Sequence, residues 1–365
     1  MKIKAAVVRE KSGPFRIEEL ELDDPRDDEV LVRMVSSGIC HTDLVARDQY
    51  VPMALPAVLG HEGSGVVEKV GAQVKTVAPG DHVVLTYLTC GACPSCKNGI
   101  PSHCLDFFRI NVIGGGPDAE CRMHKAGEKI HGGFFSQSSF ASHALANERN
   151  VVKVSKDLPL DLLGPLGCGI QTGAGGVINS LRPKPGSSIA IFGMGSVGLS
   201  ALMAAVACGC TTIIAVGNKN EERLKAAREF GATHTILGGR TDPVAEIRKI
   251  TGFGAEYSLE CTGIPKVFSQ AVDSLMIGGT CGLMGVAPFG AEASLNMQNI
   301  LDGRTIRGIV EGDSMPQTFI PLLIDLNRQG RLPFDRLISY YPFDQINQAV
   351  EDSAHGKVLK AVVRM

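Results

Sequence analysis

No run of apolar residues in this chain approaches a membrane span. The longest, Leu199 to Cys208, covers ten residues, about half of what a helix needs to cross the hydrocarbon. The opening Met1-Lys-Ile-Lys-Ala-Ala-Val-Val is too short in its apolar part for a signal peptide. Charge of one sign is missing too: 36 Lys and Arg face 38 Asp and Glu, a net of −2. That removes the electrostatic case for a nucleic-acid or membrane partner. There is no internal period and no low-complexity tract; the 43 glycines punctuate turns instead of repeating. Eleven cysteines cannot all pair, which argues against a secreted disulfide framework. A cytoplasmic protein is expected.

What remains is a 365-residue chain, 44% hydrophobic and 20% charged, the composition of an ordinary enzyme and long enough for two domains. Its first part is β-rich: Met1 to Val8, Glu29 to Val35, Gly65 to Val70 and Asp81 to Leu85 are short β-branched runs. Residues Phe107 to Gly133 read as a long glycine-rich loop. From near Cys168 to about Val310, apolar strands alternate with helical stretches. Ile189–Phe192, Thr212–Val216, His234–Leu237, Tyr257–Glu260 and Thr280–Met284 are the strands expected. Asn220 to Phe230 is a helix stopped at Gly231. Such alternation implies an α/β domain with a doubly wound parallel sheet. Val358 to Arg364 reads as a final strand able to return to the first domain.

Cys90, Cys93, Cys96 and Cys104 lie in one short stretch. Two-residue gaps let neighbouring sulfurs converge on one ion, and the fourth closes a tetrahedron eight residues on. Four sulfurs with no open position describe a structural zinc. Two disulfides, or four unrelated cysteines, are the competing readings; a large intracellular chain disfavours both. A second set is sparser: Cys40-His-Thr-Asp43, then Gly60-His61-Glu62-Gly, then Cys168. Cys40, His61 and Cys168 supply three ligands and leave a fourth position open, the pattern of a catalytic zinc. Taken singly, His61 or Cys168 is more often a core residue.

Ile189-Ala-Ile-Phe runs into Gly193-Met-Gly195-Ser-Val197-Gly198 and then a helix-like run. Gly193 permits the turn, Gly195 admits a pyrophosphate and Gly198 lets helix and strand pack closely. The phosphates would rest on the helix N-terminus. An NAD site carries an acidic residue about 20 positions on; here Gly217-Asn218-Lys219 stands in its place. The missing carboxylate and the added cation point to NADP, with NAD the alternative if Asn218 replaces the carboxylate.

The stretch from Gly60 to Gly71, the four-cysteine lobe, Cys168 and the glycine fingerprint, in that order, resemble the zinc-dependent alcohol dehydrogenases of the medium-chain dehydrogenase/reductase superfamily. Gly164-Pro-Leu-Gly-Cys-Gly-Ile-Gln-Thr-Gly and Phe134-Phe-Ser-Gln-Ser-Ser-Phe-Ala are similar to its aryl (benzyl) alcohol branch. The resemblance implies a Rossmann-type dinucleotide-binding domain at 170–310, inserted in a β-rich GroES-like catalytic domain formed by 1–169 and 311–365. It implies two zinc ions per chain. Cys40, His61 and Cys168 would hold the catalytic one; Cys90, Cys93, Cys96 and Cys104 the structural one. Asp43 would orient His61, and Glu62 would be a carboxylate able to approach the metal. Thr42 would take the alcohol proton, His41 would lie near the pyrophosphate and Thr172 against the nicotinamide. The cofactor site would further draw on Gly193, Gly195, Val197, Gly198, Gly217, Asn218 and Lys219. Where some relatives carry a proton-relaying histidine, this chain has Val45.

The activity implied is reversible oxidation of primary alcohols to aldehydes, with hydride passing to NADP, on a small-molecule substrate, in a homodimer or homotetramer. Val45, Tyr50, Leu88, Phe107 and Ile110 are candidate lining residues that would favour aromatic or allylic alcohols; each could equally be core. An NAD-dependent alcohol or polyol dehydrogenase on the same scaffold, and a non-catalytic zinc protein, are the competing readings. Zinc ribbons that bind nucleic acid have basic surroundings, and the lobe here has only Lys97, His103 and Arg109.

Overall fold

The computed structural model describes residues 1–113 and 121–365. They form two compact units: one of residues 1–168, 315–322 and 337–365, the other of residues 169–314 and 323–336.

The first unit holds two sheets. One is five-stranded, in the order Ala57–Val58, Lys2–Val8, Phe15–Leu22, Met123–Lys125, Glu128–Ile130. The other runs Val151–Val154, His82–Leu85, Gly63–Val70, Glu29–Gly38, Lys360–Arg364, Ile338–Pro342, with His143–Asn147 also pairing with Glu29–Gly38. Glu29–Gly38 is the organising strand. Val32 faces Val67 on one side and Ala144 on the other, and Ser37 faces Gly63 and Val363. Val30, Val32 and Met34, on one face of that strand, are buried with Val67, Val83 and Leu85 in one core. The stretch 107–133 is not one loop. Phe107–Asn111 is helical, and Met123–Lys125 pairs with Glu128–Ile130 around a tight turn. Met123 and Ile130 are buried, so a short apolar-polar alternation overrides the glycine-rich composition. Residues 114–120 lie outside the described residues.

In the second unit six parallel strands follow the order His234–Leu237, Thr212–Gly217, Ser188–Phe192, Ala255–Glu260, Leu275–Leu283, Thr305–Gly308. Helices Ser196–Ala207, Glu221–Glu229, Pro243–Thr251 and Pro265–Asp273 connect them. The chain order reverses beside Ser188–Phe192, and doubly wound sheets bind ligands outside the carboxyl ends at such a point. Ala190, Phe192, Ile214, Val216 and Ile236 are buried together, as expected of strands covered on both faces. Leu323, Leu332 and Phe334 are buried, and Arg331 Nη2 donates to Ala207 O at 2.8 Å; this stretch, which the family resemblance assigns to the catalytic domain, groups with the second unit.

Candidate active site

Strand ends bring one donor cluster together in the first unit. Cys40 follows Glu29–Gly38, His61 and Glu62 precede Gly63–Val70, and Cys168 ends the unit's first segment. One ligand atom from each of Cys40, His61, Glu62 and Cys168 lies within 4.8 Å of all the others. Asp43, wholly buried, organises the approach. It accepts from Cys40 N at 2.9 Å and Gly60 N at 3.1 Å, and it meets His61 Nδ1 at 2.9 Å. With Nδ1 committed to Asp43, Nε2 is buried without a hydrogen-bond partner among the described residues. A buried imidazole nitrogen left bare beside two thiols is what a metal ligand looks like before the metal is considered. Two sulfurs and a nitrogen are a zinc donor set, so the residues fit the ion. Thr42 Oγ1 lies 3.7 Å from Cys40 Sγ. His41 is exposed at the start of helix His41–Arg47.

Charge in this pocket is concentrated and dry. A hydrogen bond with Cys168, assisted by the charge of His61, holds the Cys40 thiol well below its ordinary range despite burial. Burial pushes the His61 imidazolium down, but Asp43 and the Cys40 thiolate outweigh it and the net shift is upward. Glu62 is lifted by burial to about 7, against the pull of Lys360. Lys360 is itself 2% exposed; it pairs with Glu62 and donates to Ile39 O at 3.0 Å. A buried lysine is tolerated only with such partners. Gly38 makes the pairing possible: a Cβ there would lie 2.0 Å from Glu62 Oε2.

The second cluster is the cysteine lobe. Sulfurs of Cys90, Cys93, Cys96 and Cys104 also lie within 4.8 Å of one another. Backbone amides already serve them: Ala92 N and Cys93 N donate to Cys90 Sγ at 3.5 and 3.3 Å, and Cys90 N to Cys104 Sγ at 3.3 Å. The Cys96 amide draws Cys93 down to about 6, while burial drives Cys104 up to about 12. Four sulfurs in this arrangement fit a closed structural zinc.

In the second unit Gly193 takes a left-handed turn (φ 98°) at the end of Ser188–Phe192, and Gly195 caps helix Ser196–Ala207. A Cβ on Gly198 would lie 1.8 Å from Gly193 O, so no other residue packs there. Val197 sits in the first turn of that helix. Gly217 ends its strand, and Asn218 and Lys219 are exposed beyond it. Asn220 caps the next helix through Arg223 N. Arg223 Nε is buried without a hydrogen-bond partner among the described residues. Thr172 lies in helix Gly169–Gly175, its hydroxyl 3.4 Å from Glu311 Oε2.

Three features escaped the sequence. Lys360 was visible only as a lone cation inside the apolar terminal strand. Glu311 carried no signal. The stretch from Phe134 to Ala141 carries a resemblance, but nothing in its sequence signals its strain. Phe135, Ser136 and Ser138 all have left-handed φ values, 50°, 51° and 48°, each costing about 1–2 kcal/mol. Asn150 Nδ2 donates to Phe135 O and Ser136 O, and Gln137 Nε2 to His61 O. That conformation stacks Phe135 on the His61 ring at 4.5 Å and sets Phe134 edge-on at 5.4 Å. Phe107 joins Phe135 and Tyr87 at 6.2 and 5.6 Å. Of the expected lining residues, Val45 is buried and Tyr50 exposed.

A doubly wound dinucleotide-binding unit joined to a β-rich unit with two such donor sets defines a zinc-containing, nicotinamide-dependent dehydrogenase. Residues 26–156 match the alcohol dehydrogenase GroES-like domain, and residues 196–327 match zinc-binding dehydrogenase. The geraniol dehydrogenase of Castellaniella defragrans is 48% identical over 363 residues, 99% of this chain and 97% of the relative. The crystal structure of benzyl alcohol dehydrogenase from Acinetobacter calcoaceticus superposes with a TM-score of 0.96 at 47% identity, covering 100% and 99% of the two chains. An alcohol dehydrogenase zinc-binding domain protein from Burkholderia ambifaria gives 0.97 at 56% identity, with the same coverage. The chain belongs to the zinc-dependent alcohol dehydrogenases of the medium-chain dehydrogenase/reductase superfamily.

Proposed function

We propose that this enzyme interconverts primary aromatic or allylic alcohols and their aldehydes, with NADP preferred over NAD. The observation that carries the reading is the cluster of Cys40, His61 and Cys168 around a His61 nitrogen with no hydrogen-bond partner. These three residues would hold the catalytic zinc, and the sulfurs of Cys90, Cys93, Cys96 and Cys104 the structural one. Zinc supplies Lewis acidity at the substrate oxygen, and the nicotinamide supplies the hydride acceptor. The chain does the rest. Asp43 keeps the His61 proton on Nδ1, so that Nε2 stays a lone-pair donor. Thr42 takes the alcohol proton. Phe107, Phe134, Phe135 and Tyr87 give the first unit an aromatic wall around His61, which suits a flat or unsaturated carbon skeleton. Geraniol and benzyl alcohol, named for two of the relatives, are substrates of that kind.

NADP is supported by the end of the second parallel strand. Gly217, Asn218 and Lys219 present no carboxylate to repel a 2′-phosphate. In the helix that follows, Arg223 has a buried Nε without a hydrogen-bond partner among the described residues, and burial holds its guanidinium below its ordinary range. A phosphate would satisfy it. The test is a matrix of kcat/KM for benzyl alcohol, geraniol and ethanol with each cofactor, on protein whose zinc content has been measured. Two zincs per chain, with the first two alcohols well above ethanol, supports the reading; equal values for all three sink the substrate class. Asn218→Asp should move the ratio towards NAD. It is a cleaner change than one at Gly217, where a Cβ would lie 3.1 Å from Leu224.

A further inference from the structure

One buried carboxylate of the second unit has no part in that chemistry. Glu311 is 8% exposed and stands in left-handed backbone (φ 49°), followed by Gly312 at 67° and Asp313 at 46°. Strain of this kind persists only where the surroundings over-determine it. They do so here. Ser314 Oγ donates to Glu311 O at 2.7 Å and to Gln171 Oε1 at 3.1 Å, and Asn179 Nδ2 donates to Gly312 O at 3.0 Å. Asp313 Oδ2 accepts from Ser180 Oγ at 2.7 Å and from Arg307 Nη2 at 2.8 Å. A Cβ on Gly312 would lie 2.2 Å from Gln171 O, so the loop is pressed onto helix Gly169–Gly175. The outcome of all this is the position of one group: Glu311 Oε2 faces Gln171 Nε2 at 3.2 Å and Thr172 Oγ1 at 3.4 Å.

We propose that Glu311 is a fixed negative charge beside the nicotinamide that favours the oxidised cofactor over the reduced one. The inference rests on the reading that Thr172 lies against the nicotinamide ring. The oxidised ring is a cation and the reduced ring is neutral, so a buried carboxylate attracts one and is indifferent to the other. Attraction is weakly screened where water is excluded. The consequence is directional. Hydride passing from the reduced ring to the carbonyl carbon of an aldehyde, with a proton delivered through Thr42 to the carbonyl oxygen, would leave the ring as the cation that Glu311 favours and would tip the equilibrium on the enzyme towards the alcohol.

The test is calorimetric titration of Glu311→Gln and the parent enzyme, both zinc-loaded, with NADP, NADPH and 2′-phospho-ADP-ribose, or with NAD, NADH and ADP-ribose if those bind more tightly. The variant should weaken the oxidised cofactor about tenfold, leave the reduced one within about twofold and leave the fragment without nicotinamide unchanged. Glu311→Asp, which keeps the charge, should keep most of the preference. Equal weakening of both cofactors, or of the fragment, overturns the proposal by making Glu311 a structural residue. Thr172→Val separates the two layers. If it weakens the nicotinamide-bearing ligands while Glu311→Gln leaves the oxidised-to-reduced ratio untouched, the charge effect fails alone. If it changes no ligand, the placement of Thr172 fails and takes the inference with it. Should Glu311→Gln not fold, Glu311→Met, unbranched and of similar length, carries the same test.

Discussion

Cys90, Cys93, Cys96 and Cys104 bring four sulfurs from one stretch of chain, while Cys40, His61, Glu62 and Cys168 converge from three separate segments. The lobe is half-exposed and served by its own backbone amides. The other cluster is almost wholly enclosed and is served by charged side chains that are themselves buried: Asp43 on His61, Lys360 on Glu62. A local set of identical donors can close around an ion and leave no coordination position open. A set assembled by tertiary structure places a hydroxyl, a carboxylate and an ammonium around the donors, and chemistry needs those. On the proposed reading, the contrast would separate a clamp from a reaction centre.

The sharpest way to break the comparison is to remove one donor from each cluster. His61→Ala should lower kcat/KM by about four orders of magnitude, because the metal's transition-state stabilisation is worth several kcal/mol. It should release one zinc per chain and leave the thermal midpoint within a few degrees. Cys104→Ala should also release one zinc but do the reverse: a drop in the thermal midpoint of about 10 °C, with kcat of the folded fraction within about twofold. If Cys104→Ala cost as much activity as His61→Ala, the lobe would be more than a clamp.

A smaller effect separates the clusters by pH. In metal-free protein Glu62 is lifted by burial from 4.5 to about 7. A folded value above the unfolded one means that its contribution to stability is complete below about 4.5 and is lost as pH rises through 7. The shift is worth about 3 kcal/mol. Zinc-stripped enzyme should therefore show a lower denaturant midpoint at pH 7.5 than at pH 5, and Glu62→Gln should flatten the slope. Reloading zinc should flatten it as well, since a nearby cation draws a carboxylate down. A slope that survives Glu62→Gln belongs to other groups.

How much of this was legible beforehand follows the same division. The lobe could be read from spacing, because three or four residues of chain already constrain where the sulfurs go. The glycine fingerprint was legible for the same reason: the turn at Gly193 and the close approach at Gly198 are local requirements. Strands with one charged face were not, such as Phe15–Leu22, where glutamates at 18, 19 and 21 conceal buried Phe15, Leu20 and Leu22. Nor was Lys360. Its role depends on Ile39 N donating to Ala361 O at 2.9 Å, a pairing between the two ends of the chain that no local pattern encodes. Phe135 owes its place on His61 to a strained backbone held in part by Asn150, a residue without any motif of its own.

Asp43 gives the finest test of the contrast, because it belongs to the scaffold and the chemistry at once. Its two oxygens receive the amides of Cys40 and Gly60 and meet the His61 ring. Asp43→Asn keeps the shape but offers one acceptor oxygen and an amide that faces donors. One hydrogen bond must be lost, and the pull that holds the imidazole proton on Nδ1 weakens. Changes to such orienting partners typically cost 10–100-fold in metal affinity or activity. The expected outcome is a fall of that size in kcat/KM and in affinity for the first zinc, measured by competition with a chromogenic chelator, with the second zinc bound as tightly as in the parent. In the sulfur-only lobe, backbone amides of Cys90, Ala92 and Cys93 take on that task for the sulfurs of Cys90 and Cys104. Loss of both zincs together in Asp43→Asn would mean that the first unit responds as one block, and that the separation between clamp and reaction centre is chemical but not energetic.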